Sequence, residues 1–145
     1  MSAGAGIIVL IGRILFVLFP GIFSGYLFHL KTPQAAEGYA RAMGFPYPQV
    51  AGVPAGLWLV VASLSIALGV YPDIGSLMIA AFMIPTAWYF HGFWRLEDPQ
   101  QKQMQMMLFF RNVITFASAL IMFAFFAVFD EALRFALTGS VIDLR

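Results

Sequence analysis

Four stretches of the chain are almost continuously apolar, and the polar residues gather between them. The apolar runs extend from about Gly6 to Phe28, Val53 to Tyr71, Ile74 to Phe93 and Met107 to Phe129. A hydrocarbon layer of ~30 Å takes about 20 residues of helix. The pattern therefore predicts an all-α, four-helix transmembrane bundle, a single domain over residues 1–145. Arg13 interrupts the first run, which begins without a positive side chain, so this run is expected to be retained as a helix rather than removed as a signal peptide. Pro20 and Pro85 are expected to kink their helices. Small residues such as Gly21 and Gly25 in the first helix and Ala62, Ser63 and Ala67 in the second are expected to let backbones approach.

The connections carry their own signals. Tyr71-Pro72-Asp73 is short enough to force a tight hairpin between the second and third runs. Thr32-Pro33 reads as an N-cap followed by Pro at the first helical position, with Gly44 as the stop. The short helix between them is expected to lay Ala36, Tyr39 and Met43 on the membrane surface. Beyond the fourth run, Asp130 to Leu137 has the pattern of an amphipathic interfacial segment stopped by Gly139.

Composition sharpens the class. Hydrophobic residues make up 61% of the chain and charged residues 10%, against about a quarter charged in soluble domains. A water-facing shell cannot be built from so few charges. The net charge of +1 and the lack of a basic stripe exclude a nucleic-acid partner. Cysteine is absent, so disulfides, thiolate chemistry and cysteine-held clusters are excluded too. Lys31, Arg41, Arg95, Lys102 and Arg111 lie on the side of the first and third connections, and Arg134 and Arg145 on the terminal side. The positive-inside rule then places the first and third connections in the cytoplasm, as in a multi-pass protein of a bacterial inner membrane.

Polar groups at membrane depth need explaining, because a charge at the centre of a membrane helix costs roughly 2.5–3.5 kcal/mol. Two readings are open for Arg13. It snorkels toward the terminal side to pair with Asp73, Asp130 or Glu131, or it lines a ligand's path. A denser cluster is expected at the other end, where His29, His91, Arg111 and Asn112 fall at similar depth. Such a cluster serves either to bind a small molecule or to hydrogen-bond helices together. A histidine titrating near neutral pH suits quinone chemistry, so His91 is the candidate catalytic group. Asn112 and Arg111 suit a carbonyl or sulfur-oxyanion oxygen. Trp88 and Trp94 have the placement of interfacial anchors. A bis-histidine haem is disfavoured because His29 stands near its helix end. Copper at His91 with Met104, Met106 and Met107 is disfavoured because methionine more often fills gaps. No metal is expected, and no covalently held cofactor is implied.

Phe23-Ser24-Gly25, Gly44-Phe45-Pro46, His91-Gly92-Phe93-Trp94 and Phe110-Arg111-Asn112, in that order and spacing, resemble the DoxX family of bacterial membrane proteins. The resemblance implies a four-helix bundle and a place beside membrane-bound redox enzymes, since the family's name comes from a subunit of thiosulfate:quinone oxidoreductase. It also implies ligand-binding roles for His91, Trp94, Arg111 and Asn112, to which the residue-level reading adds Arg13 and His29. Two positions depart from the pattern. Relatives often carry an acid in the second helix, where Leu57 to Val70 has none, and a lysine where Phe28 stands. The departures favour a subunit over an independent enzyme. The leading expectation is a small membrane subunit of a larger redox complex that binds lipid or quinone near His91 and Asn112. The alternatives are a thiosulfate- or quinone-linked oxidoreductase in its own right, and a transporter or assembly factor for a small lipophilic compound.

Overall fold

A computed structural model describes residues 2–129 and 135–144. Four helices are long and apolar enough to cross a membrane: α1 (Ala3–Leu30), α3 (Pro48–Leu68), α4 (Pro72–Arg95) and α5 (Pro99–Phe129). A short helix, α2 (Pro33–Ala42), fills the first connection. The protein is a multi-pass membrane protein with the expected all-α bundle. Consecutive membrane helices pack side by side, α1 on α3, α3 on α4 and α4 on α5.

Two of the helices change character along their length. α1 is α-helical over Ala3–Val17 and π-helical over Leu18–Leu30. α4 is α-helical over Pro72–Pro85, π-helical over Thr86–Phe90 and closes with a 3₁₀ turn at Phe93–Arg95. The prolines expected as kinks stand where these changes occur. Proline lacks the N–H of the regular ladder and its ring collides with the carbonyl four residues back. The ladder widens there instead of breaking, and π-helical turns are associated with functional sites.

The helices approach through small residues. Gly21 faces Ser63 closely, since a Cβ on Gly21 would lie 2.7 Å from that of Ser63. Gly25 faces Leu59 and Val60. In the hairpin between α3 and α4, a Cβ on Gly75 would lie 2.7 Å from the carbonyl oxygen of Ala62. Dispersion between close backbones replaces the hydrophobic drive that lipid does not supply. The tight turn between these helices holds Gly69 at φ 67° and Tyr71 at φ 48°. Ser65 Oγ donates to the carbonyls of Val70 and Tyr71, at 2.7 and 2.9 Å, and fixes the turn.

Val17, Ile66, Ile79 and Phe126, one from each membrane helix, belong to one buried core cluster. That cluster closes the bundle from its middle toward the terminal side. Residues 135–144 fold back there as an irregular strap. Leu137 N–H donates to Gly69 at 3.1 Å, Leu144 N–H to Ala127 at 3.2 Å, and Tyr71 N–H to the Thr138 hydroxyl at 3.0 Å. The expected amphipathic segment from Asp130 falls mostly outside the described residues, and its described end is not helical.

Three local expectations are corrected. α5 begins at Pro99, eight residues before the apolar run, because Asp98 caps it: Gln101 N–H donates to Asp98 Oδ2 at 2.8 Å. Hydropathy cannot register a polar first turn that stands outside the membrane. Thr32 precedes α2, but its hydroxyl donates back to Phe28 at 2.8 Å instead of capping. The apolar face of α2 turns inward, burying Ala36 and Ala40 against the bundle instead of lying on the membrane surface. Gly75→Ala is expected to lower stability by about 1–3 kcal/mol, because backbone stands where the methyl would go. Gly12→Ala, which meets nothing within 4 Å, is expected to be silent. Denaturant unfolding in mixed micelles distinguishes the two.

Candidate functional site

On the side of the first and third connections the bundle is not filled. A cavity of about 350 Å³ lies between α1, α2, the start of α3, α4 and α5. The π-helical stretches supply much of its wall, with Phe19, Phe23, Ser24, Phe28 and His29 from α1 and Thr86 and Phe90 from α4. Tyr39 and Ala36 of α2 roof it, with the Tyr39 ring 5.6 Å from that of Phe90. Nearly all of this wall is apolar. The polar exceptions include both histidines of the chain, Arg111 and Asn112.

The histidines are held alike. His29 Nδ1–H donates to the carbonyl of Ala51. His91 Nδ1 lies 2.8 Å from Gln105 Oε1, an amide acceptor. A carbonyl oxygen only accepts, so each neutral ring carries its proton on Nδ1 and presents Nε2 as an acceptor. Neither Nε2 has a hydrogen-bond partner among the described residues. The Phe82 ring, 5.9 Å from His29 and perpendicular to it, fixes that imidazole further. Gln105 also lines a second, more polar cavity of about 390 Å³ with Arg95 and Gln101, so the partner of His91 belongs to the wall of that second cavity.

Asn112 is 2% exposed, and its Nδ2 has no hydrogen-bond partner among the described residues. A buried, unpaired amide N–H costs about 1–3 kcal/mol. Arg111 lies over the ring of Phe19, with Cζ 4.5 Å from the centroid, and pairs with no carboxylate among the described residues. The cavity thus offers donors from Asn112 and Arg111 and acceptors from the two imidazoles, set in apolar walls. It is at the small end of the ~300–1,000 Å³ typical of small-molecule sites, which suits a single ring or headgroup better than a macrocycle.

The structure brings His29, His91, Arg111 and Asn112 to one cavity and leaves Trp94 and Arg13 out of it. Trp94 packs on Trp88 at 5.3 Å and on Phe109 at 5.6 Å, in an exposed aromatic cluster outside the wall. Arg13 lies in the other half of α1. Its Nε donates to Ile66 at 2.8 Å, and its two terminal nitrogens to Ala67 at 2.7 Å and Phe135 at 3.2 Å. It therefore caps the last turn of α3, where the helix dipole favours a cation. Arg13 does reach toward the terminal side, as the snorkelling reading expected, but it meets backbone carbonyls and not Asp73. Asp73 accepts instead from Val141 and Ile142 N–H, both at 2.9 Å. Asp130 and Glu131 lie outside the described residues. Sequence reasoning missed Gln105 and Phe19. Gln105 stands seven residues before Asn112, two turns along one helix face, a spacing that pointed to it. Phe19 carries no such signal.

A membrane bundle with a mostly apolar cavity, carrying a few polar groups, at one end is the class these features define. A family model for DoxX matches residues 8–92, well over half of the chain, and the protein belongs to the DoxX family. That match includes Ser24-Gly25, Gly44-Phe45-Pro46 and His91 but ends before Trp94, Arg111 and Asn112. No curated protein and no solved structure matches the chain.

Arg13→Met is expected to lower stability by roughly 2–3 kcal/mol, since it strips charged donors from buried carbonyls. Affinity of the folded fraction for a cavity ligand is expected to stay as it was. Unfolding curves together with ligand titration check both halves.

Proposed function

We propose that this protein is a small integral membrane subunit of a larger membrane-bound redox assembly, holding a quinone or lipid by its headgroup in the His91/Asn112 cavity. In this reading it sits in a bacterial inner membrane with its first and third loops toward the cytoplasm. The observation that carries the reading is that Asn112, a residue of the cavity wall, has a buried Nδ2 with no hydrogen-bond partner among the described residues. Such a group is stable when a ligand oxygen completes it. A quinone carbonyl accepts from Asn112 and Arg111, and a quinol hydroxyl donates to a histidine Nε2. A site with donors and acceptors together suits a headgroup that alternates between those two forms. The two imidazoles, each anchored through Nδ1, supply a fixed lone pair with little ordering left to lose on binding.

His91 is the proton-handling candidate, because its other nitrogen reaches Gln105 and the polar cavity beyond. The departures at Phe28 and along Leu57 to Val70 support a subunit that presents quinone to a partner rather than one that oxidises a substrate alone. The bonds of Arg13 to three carbonyls support a structural role for it over one on a transport path.

In detergent micelles, decylubiquinone is expected to bind the wild-type protein, and Asn112→Leu to weaken it at least about tenfold, the equivalent of one charge-free hydrogen bond. Calorimetric titration measures this, and equal affinities would count against the headgroup assignment. Extraction from native membranes in mild detergent is expected to bring larger chains in fixed ratio. Recovery of this chain alone would remove the subunit role and leave the binding site standing.

A further inference from the structure

The cavity has walls on three sides and a different fourth side. α1 packs on α3, α3 on α4 and α4 on α5, but α5 does not pack along the π-helical half of α1. At that level the cavity is lined from both sides of the seam, by Phe19 and Phe23 of α1 and by Arg111 and Asn112 of α5. Phe23 lines the cavity and is nevertheless 60% exposed, and Phe19 is 37% exposed. Both facts hold together where a cavity opens sideways. The exposed surface at this depth faces acyl chains, since the apolar runs of both helices lie in the hydrocarbon layer. Above the cavity, α2 blocks the direct route from water. Ala36 is buried there, and Tyr39 and Phe28 meet edge to face at 6.5 Å.

One contact crosses the seam. The Arg111 guanidinium lies over the Phe19 ring, reaching from α5 to α1. A cation on a ring face contributes about 0.5–2 kcal/mol. That is enough to hold the seam closed most of the time and too little to seal it. A lysine would supply the charge, but the planar guanidinium both stacks on the ring and offers N–H groups along its edge. It is therefore able to leave the ring for an oxygen of an incoming headgroup.

From these observations we propose that the seam between α1 and α5 is a lateral portal from the bilayer, latched by Phe19 and Arg111. The ligand is then a tailed amphiphile whose head carries an electronegative oxygen and whose tail stays in lipid, lying across Phe19 and Phe23. Quinones and phospholipids share this chemistry, and water-soluble oxyanions do not. The proposal rests on the headgroup reading of the cavity given above.

The test uses the full chain in nanodiscs with two probes, a decylubiquinone and a phosphatidylglycerol, each bearing a diazirine on its tail. After photolysis, peptide mapping is expected to place the label on residues 18–24 of α1 and 107–114 of α5, and excess unlabelled decylubiquinone is expected to displace it. Labelling of that seam by the phospholipid probe alone keeps the portal and assigns the site to a lipid headgroup. Saturable binding with the label on α2 overturns the portal and leaves the cavity reading intact. Absence of saturable binding by either probe overturns both. Phe19→Ala is expected to raise the association rate about three- to tenfold and, because Phe19 also meets the ligand's tail, to raise the dissociation rate at least as much. Unchanged rates with the seam labelled would remove the latch.

Discussion

Hydrocarbon forms no hydrogen bonds, so each donor or acceptor carried into it must be matched by the chain or by something the chain holds. Arg13 and Asn112 meet that constraint in opposite ways. Arg13 is 2% exposed, and its nitrogens are matched by the carbonyls of Ile66, Ala67 and Phe135. Asn112 is equally buried, and its amide nitrogen has no partner among the described residues. A cation is far harder to bury than an amide, and each nitrogen of Arg13 has an acceptor. Ser63 Oγ, Asp73 Oδ1 and Asn112 Nδ2 are buried without a partner among the described residues, and of these Asn112 alone belongs to the cavity wall.

The division of the bundle follows from this. On the terminal side lie the core around Ile66, Ile79 and Phe126, the Arg13 cap and the strap over the α3–α4 turn. On the other side, Pro20 and Pro85 stand where two helices turn to wider π geometry. A wider helix redirects side chains, and here it surrounds a cavity with aromatic rings and two anchored imidazoles. The rigid half positions the helices and the open half receives. The contact of Phe19 with Arg111 joins helices that otherwise lie apart at that depth.

Much of this was legible in the residues, for reasons that differ from place to place. The four membrane helices follow from apolar run length, because lipid permits little else. The gathering of His29, His91, Arg111 and Asn112 followed from depth counting along antiparallel helices. Depth counting says nothing about azimuth, and Trp94, at nearly the same depth as His91, points into the Trp88–Phe109 cluster instead. Arg13 was misjudged because carboxylates were sought as its partners. Backbone carbonyls at a helix end are equally good acceptors and leave no mark in a side-chain pattern. The start of α5 was missed because its cap, Asp98-Pro99, precedes polar turns. The inward face of α2 was missed because an apolar stripe does not say whether lipid or protein covers it. No hydrophobic pattern announces a π-helix.

Asn112 is the chain's only asparagine, so its side chain is observed in isolation after selective ¹⁵N-asparagine labelling. In nanodiscs free of quinone, its amide protons are expected to resonate upfield, as for an unpaired NH₂, and to move downfield saturably as decylubiquinone is added. A resonance already at the hydrogen-bonded position without ligand, and unmoved by quinone, would contradict the account.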